Sequence, residues 1–169
     1  MSEHYAAASA SGNRTKKGVK VTKNIYTDKE TDVQGPLEVT GSVQCNGSIN
    51  FQGNVSVRGA VEAYGNITTK GQIVCEGLVK AHGNMMVNGY LASSDKISAA
   101  GKLRVEGVLE GNDLEIYGNV IVIGSLTCRR LLVYGSVTLI GPHSSCFAAE
   151  STEVLGPYLT RDSEADWDF

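Results

Sequence analysis

A chain of 169 residues with 41% hydrophobic and 20% charged side chains has the balance of one globular domain, and a net charge of −3 singles out neither nucleic acid nor an acidic partner. Glycine is plentiful at 20 residues, but only three prolines accompany it, which excludes collagen. No apolar run reaches the length of about 18 residues that a membrane-spanning helix needs, and Met1–Ser11 lacks the basic head and apolar stretch of a signal peptide.

The first 32 residues are small, polar and basic, with Arg14, Lys16, Lys17, Lys20 and Lys23 following one another without an acid. They read as a disordered arm. Its two candidate uses are a solvated tether and a contact with an anionic membrane surface, at about 1 kcal/mol per basic residue.

From Gly35 onward glycine falls at every sixth position through Gly89, then at Gly101 and Gly107. A fixed short period marks a solenoid. Within it the odd positions are apolar or small and the even ones mostly polar, the period of a half-buried strand. Three six-residue units per coil give 18-residue columns, and these match. One is Val43, Val61, Val79, Ile97; another is Ile49, Ile67, Met85, Leu103; a third is Val55, Ile73, Leu91, Leu109; a fourth, all small, is Cys45, Ala63, Ala81, Ala99. Stacked parallel strands would bury such columns as a continuous core.

After Asp113 the alternation changes parity, and after Arg130 it changes back. A one-residue slip turns a strand inside out unless one side of the triangle is a residue shorter. Two coils of 17 residues restore the register. The corners then align as Gly35 to Gly141, as Gly47 to Gly135, and as a third that runs Gly41, Gly59, Gly77, Asp95, Asp113, Arg130. From Thr40 to Asn88 the residue before each repeat glycine is polar or amphipathic, where left-handed hexapeptide helices carry an aliphatic one. The expectation is therefore an all-β, right-handed parallel β-helix, a triangular solenoid of about six coils over 33–145. At about 4.8 Å per coil it would be roughly 29 Å long.

Beyond it, 146–169 reads as an acidic tail carrying Glu150, Glu153, Asp162, Glu164, Asp166 and Asp168 and closing on Trp167 and Phe169. It suits a docking peptide or a segment folded back on the core.

The segments Gly-Ser-Val-Gln-Cys-Asn-Gly-Ser-Ile (41–49), Val-Arg-Gly-Ala-Val-Glu-Ala-Tyr-Gly-Asn-Ile (57–67), Val-Glu-Gly-Val-Leu-Glu-Gly-Asn (105–112) and Leu-Leu-Val-Tyr-Gly-Ser-Val (131–137) resemble the bactofilins. The resemblance covers roughly 33–145. It implies a cytoplasmic, cytoskeletal scaffold, polymerising end to end without nucleotide into non-polar filaments and localising other proteins, such as cell-envelope proteins, at the inner membrane surface. Two departures are the longer, acidic C-terminal part and an N-terminal arm without the short apolar patch that often serves membrane attachment. The ends of a β-helix are open sheet edges that pair with another copy unless capped. Candidate end contacts are Val33, Leu37 and Val39 at one end and Phe147 at the other, the alternative being capping of the core within one subunit. Tyr64, Tyr117 and Tyr134 fall on one outer edge, as a lateral contact or as ordinary cross-strand stacking.

No enzymatic constellation emerges, and no cofactor is implied. His82 lies in the outward column Asn46, Tyr64, His82, Ala100, Tyr117, Tyr134, where side-chain stacking outweighs catalysis. His4 lies in the basic arm. The glycines lack the Gly-Lys-Ser/Thr of a phosphate loop. Asp95 and Asp113 are one coil apart and would suit a shared cation, but Arg130 would pair with Asp113 more simply. Cys45, Cys75 and Cys128 read as small core residues, and Cys146 as an accessible thiol. The aromatic edge lacks the interleaved basic residues that nucleic acid needs. The alternatives to a polymer are a non-polymerising β-helical adaptor that recruits a partner through Trp167 and Phe169, and a hexapeptide-type acyltransferase with His82 as base.

Overall fold

The computed structural model describes residues 14–16 and 19–162. They form a right-handed parallel β-helix of about eight turns, without a helix. The strands are β1 Arg14–Lys16, β2 Val19–Thr22, β3 Ile25–Thr27, β4 Thr31–Gln34, β5 Leu37–Val39, β6 Val43–Cys45, β7 Ile49–Val57, β8 Val61–Ala63 and β9 Ile67–Cys75. They continue as β10 Val79–Ala81, β11 Met85–Ser93, β12 Lys96–Ala99, β13 Leu103–Glu110, β14 Asp113–Ile116, β15 Val120–Val133, β16 Val137–Ile140, β17 Ser145–Val154 and β18 Tyr158–Arg161.

Each coil crosses three faces. The first face begins with β2, the second with β3 and the third with β4, and each is then extended by parallel pairing one coil later. The register places Val43, Val61, Val79 and Ile97 in one column and Ile49, Ile67, Met85 and Leu103 in another. These columns point inward and are buried from end to end. The core is thus a stack of like residues, each aliphatic side chain contributing roughly 1.5–3 kcal/mol on full burial.

The corners use glycine for two different reasons. Between the third and first faces the strand does not stop; it bends through glycine in mid-strand, as at Gly107 with φ +136°. Side-chain residues rarely adopt that backbone. Between the second and third faces the reason is proximity: a Cβ on Gly118 would lie 2.6 Å from the carbonyl oxygen of Gly101 in the coil beneath.

The two 17-residue coils are present. Leu109 pairs with Leu126, Ile97 with Leu114 and Leu114 with Leu131, the missing residue lying at the corner of Asp113 and Arg130.

Two boundaries move. The solenoid has about eight coils rather than six, because 19–34 forms a coil before Gly35 and 145–161 forms one after Gly141. The first coil, 19–34, holds no glycine, for a physical reason. The second-corner glycines are needed where a Cβ would strike the preceding coil, as Gly47 would strike Glu30, and among the described residues no coil precedes the first. The last coil escapes the period because it is longer. Leu126 pairs with Cys146 and Leu131 with Thr152, with a bulge between.

Candidate assembly site

The two ends of the rod differ. At the N-terminal end β1 runs antiparallel along β2, with Arg14 opposite Val21. The inward side chains of the first coil, Ile25 and Val33, are buried. At the C-terminal end β17 and β18 pair only with the coil beneath, so among the described residues their outer edges carry no strand. The inward positions of this coil are Cys146, Ala148, Thr152, Val154, Tyr158 and Thr160. Of these, Cys146, Ala148 and Val154 are only partly buried against the core, and Tyr158 is 46% exposed. Leu155 at 58%, Leu159 at 40% and Phe147 at 61% stand around them. The result is an apolar terminal face ringed by unpaired backbone groups. The coil is tied down at one corner by Glu150, whose carboxylate takes Arg129 at 3.1 Å and Arg130 at 3.2 Å.

The residues picked out in the sequence distribute as follows. Leu37 and Val39 are not terminal, because the first coil stacks on them, whereas Val33 belongs to that first coil; all three are fully buried. Phe147 is not past the last coil but within it, opposite Thr127 and directed outward from the first face. The inward side chains that stand open at an end are instead Val154 and Tyr158. Their signal was weak, since Tyr158 lies 21 residues after its partner Val137 rather than 18. Lys20 is half-buried opposite Leu37, and Lys23 is exposed. Arg14 and Lys16 lie in β1. Lys17, Trp167 and Phe169 lie outside the described residues, as does His4.

Tyr64, His82, Tyr117 and Tyr134 do share one edge. Tyr64 stacks on His82 with centroids 4.3 Å apart, and Tyr117 on Tyr134 at 4.8 Å. His82 Nε2 lies 2.9 Å from the Glu62 carboxylate. Beside this edge is a backbone ladder that sequence reading passed over. Side chains after the second-corner glycines accept an amide N–H from the next coil: Ser48 from Asn66, Asn66 from Asn84, and Asn84 from Lys102, which itself cannot accept. The repeated Gly-Ser and Gly-Asn pairs were its signal.

At the shortened corner Arg130 binds Glu150 rather than Asp113, and one carboxylate oxygen of Asp113 is buried without a hydrogen-bond partner. Burial pushes the Cys75 thiol up to about 11 and the Cys128 thiol to about 12. Cys146 is also raised by burial. All four cysteines are free. Among the described residues no group of three or more His, Cys, Asp or Glu is placed to hold a metal ion, and no helix is long and apolar enough to cross a membrane.

Comparison with family models, curated proteins and solved structures found no match to this chain.

Proposed function

We propose that the protein is a structural scaffold that assembles with copies of itself through the ends of its β-helix, without nucleotide, and localises other proteins along the assembly. The observation that carries this reading is the open C-terminal coil. An exposed sheet edge is a template for pairing, and here it surrounds Val154 and Tyr158, side chains that elsewhere in the rod are buried. Contact between two such faces is two-fold and self-complementary. The bactofilin-like pattern of glycine and valine supports the same reading. A filament needs a second contact at the N-terminal end, made along β1 or after its displacement. The strand β1 along β2 and the buried inward side chains of the first coil favour a second reading, a discrete two-fold pair acting as an adaptor. Negative-stain electron microscopy of the purified chain at micromolar concentration separates them. Filaments support the polymer, uniform pairs support the adaptor, and monomers at all concentrations would sink both.

A further inference from the structure

The aromatic edge has a gap. The outward column before the second glycine corner runs Tyr64, His82, Ala100, Tyr117, Tyr134, and each member's N–H donates to the coil beneath, so they are in register. Ala100 is exposed and offers only a methyl group. His82 and Tyr117 therefore face each other across it, two coil steps or about 9–10 Å apart. A planar ring midway would lie about 4.8 Å from each, within the range of stacked pairs and equal to the spacing between Tyr117 and Tyr134. The walls are fixed before anything enters. Glu62 holds His82, and Glu115 accepts the Tyr117 hydroxyl at 2.9 Å and pairs with Lys96. Lys80 and Lys102 flank the gap. With Lys96 they give three cations against the two carboxylates, a local surplus of one positive charge.

We propose that this gap is a docking slot for the aromatic side chain of the acidic segment Asp166-Trp167-Asp168-Phe169 from a second copy. Trp167 stacks between His82 and Tyr117, and its neighbouring carboxylates meet Lys80 and Lys102. Ring thickness and charge both fit. A donor from another copy avoids a taut chain. Five residues from Asp162 to Trp167 span at most about 18 Å, and the slot lies three coils back and across the width of the third face, a diagonal of about 20 Å. A segment turning to its own slot would have to be fully extended, with the indole alone bridging the remainder. The contact is lateral, so it is independent of the terminal face.

Trp167 is the single tryptophan of the chain, and its fluorescence in the full-length protein reads the slot directly. Emission should move to shorter wavelength as protein concentration rises. Ala100→Tyr completes the ladder with the residue that neighbouring coils carry, and it should hold Trp167 at the solvent-exposed wavelength at every concentration. Ala100→Ser, which leaves the slot open, should behave as the parent. Lys80→Glu with Lys102→Glu should raise the midpoint at least tenfold. A solvent-like parent at all concentrations overturns the proposal, as does an unchanged shift in Ala100→Tyr. A shift independent of concentration rules out the second copy as donor. Electron microscopy of the same samples keeps this result apart from end-to-end assembly, which Ala100→Tyr should leave intact.

Discussion

Thr69 is buried in a column with Phe51 and Val87, and its hydroxyl has no hydrogen-bond partner. Such a group carries its desolvation cost uncompensated. Thr69→Val keeps the shape and removes the oxygen, and should stabilise the fold by about 1 kcal/mol, read as a higher urea midpoint. Cys75 behaves differently, because its thiol donates to the Gly59 carbonyl. Its folded pKa of about 11 lies above the ordinary 9.0. The folded state thus disfavours the thiolate, and the associated stability is complete below pH 9 and lost as pH rises toward 11. Cys75→Ser is tolerated on structural grounds, since Ser93 occupies the same column and donates to Gly77 at 2.9 Å. Denaturation at pH 8 and pH 10.5 should show a smaller loss in Cys75→Ser than in the parent; equal losses would assign the pH effect elsewhere.

At the level of strands and corners, most of the fold was legible because the same physical demand recurs each coil. A glycine is required wherever a Cβ would strike the coil beneath, so Gly47 through Gly135 announce their corner in the sequence. Gly118→Ala tests that demand. Its Cβ would meet backbone atoms of Gly101 at 2.6 and 2.8 Å, which cannot swing aside. The variant should lose about 1–3 kcal/mol, measured as a drop in Tm. The first coil was missed for the complementary reason: with no such coil before it, that glycine demand disappears, although Ile25 and Val33 keep the 18-residue spacing to Val43 and Phe51. The last coil was missed because a bulge and a longer path shift Val154 and Tyr158 to a 21-residue spacing. The candidate end residues follow from this: Leu37 and Val39 lie one coil further in than the sequence suggests, while Val33 sits in the first coil. The gap at Ala100 was visible as a column of letters, but its depth depends on coil spacing and on the carboxylates that fix its walls.

For the whole molecule the decisive property is that the two ends differ: at the first coil the inward side chains are buried and β1 lines one of three outer edges, while at the last coil the inward side chains stay partly exposed and no described strand lines an edge. Val154→Arg places a charge on the open face, where a contact with another copy would bury it unpaired. Sedimentation velocity should then show a single small species where the parent associates. Association unchanged in Val154→Arg would move the contact away from this end. Phe147→Arg, on the outward side of the same coil, should have the smaller effect.

The unequal coils have one more consequence. The last coil takes 21 residues from Leu131 to Thr152, whereas the first spans 18 from Ile25 to Val43. The surplus does not widen the rim, since Leu126 still faces Cys146 and Leu131 still faces Thr152; it is gathered into the turn after Gly141 and the bulge beyond Ala148. In the proposed assembly a neighbour offering its first coil would bring nothing to answer those two features, whereas a neighbour offering its own last coil would bring the same pair related by a two-fold axis. An irregular last coil would thereby favour like ends over unlike ones.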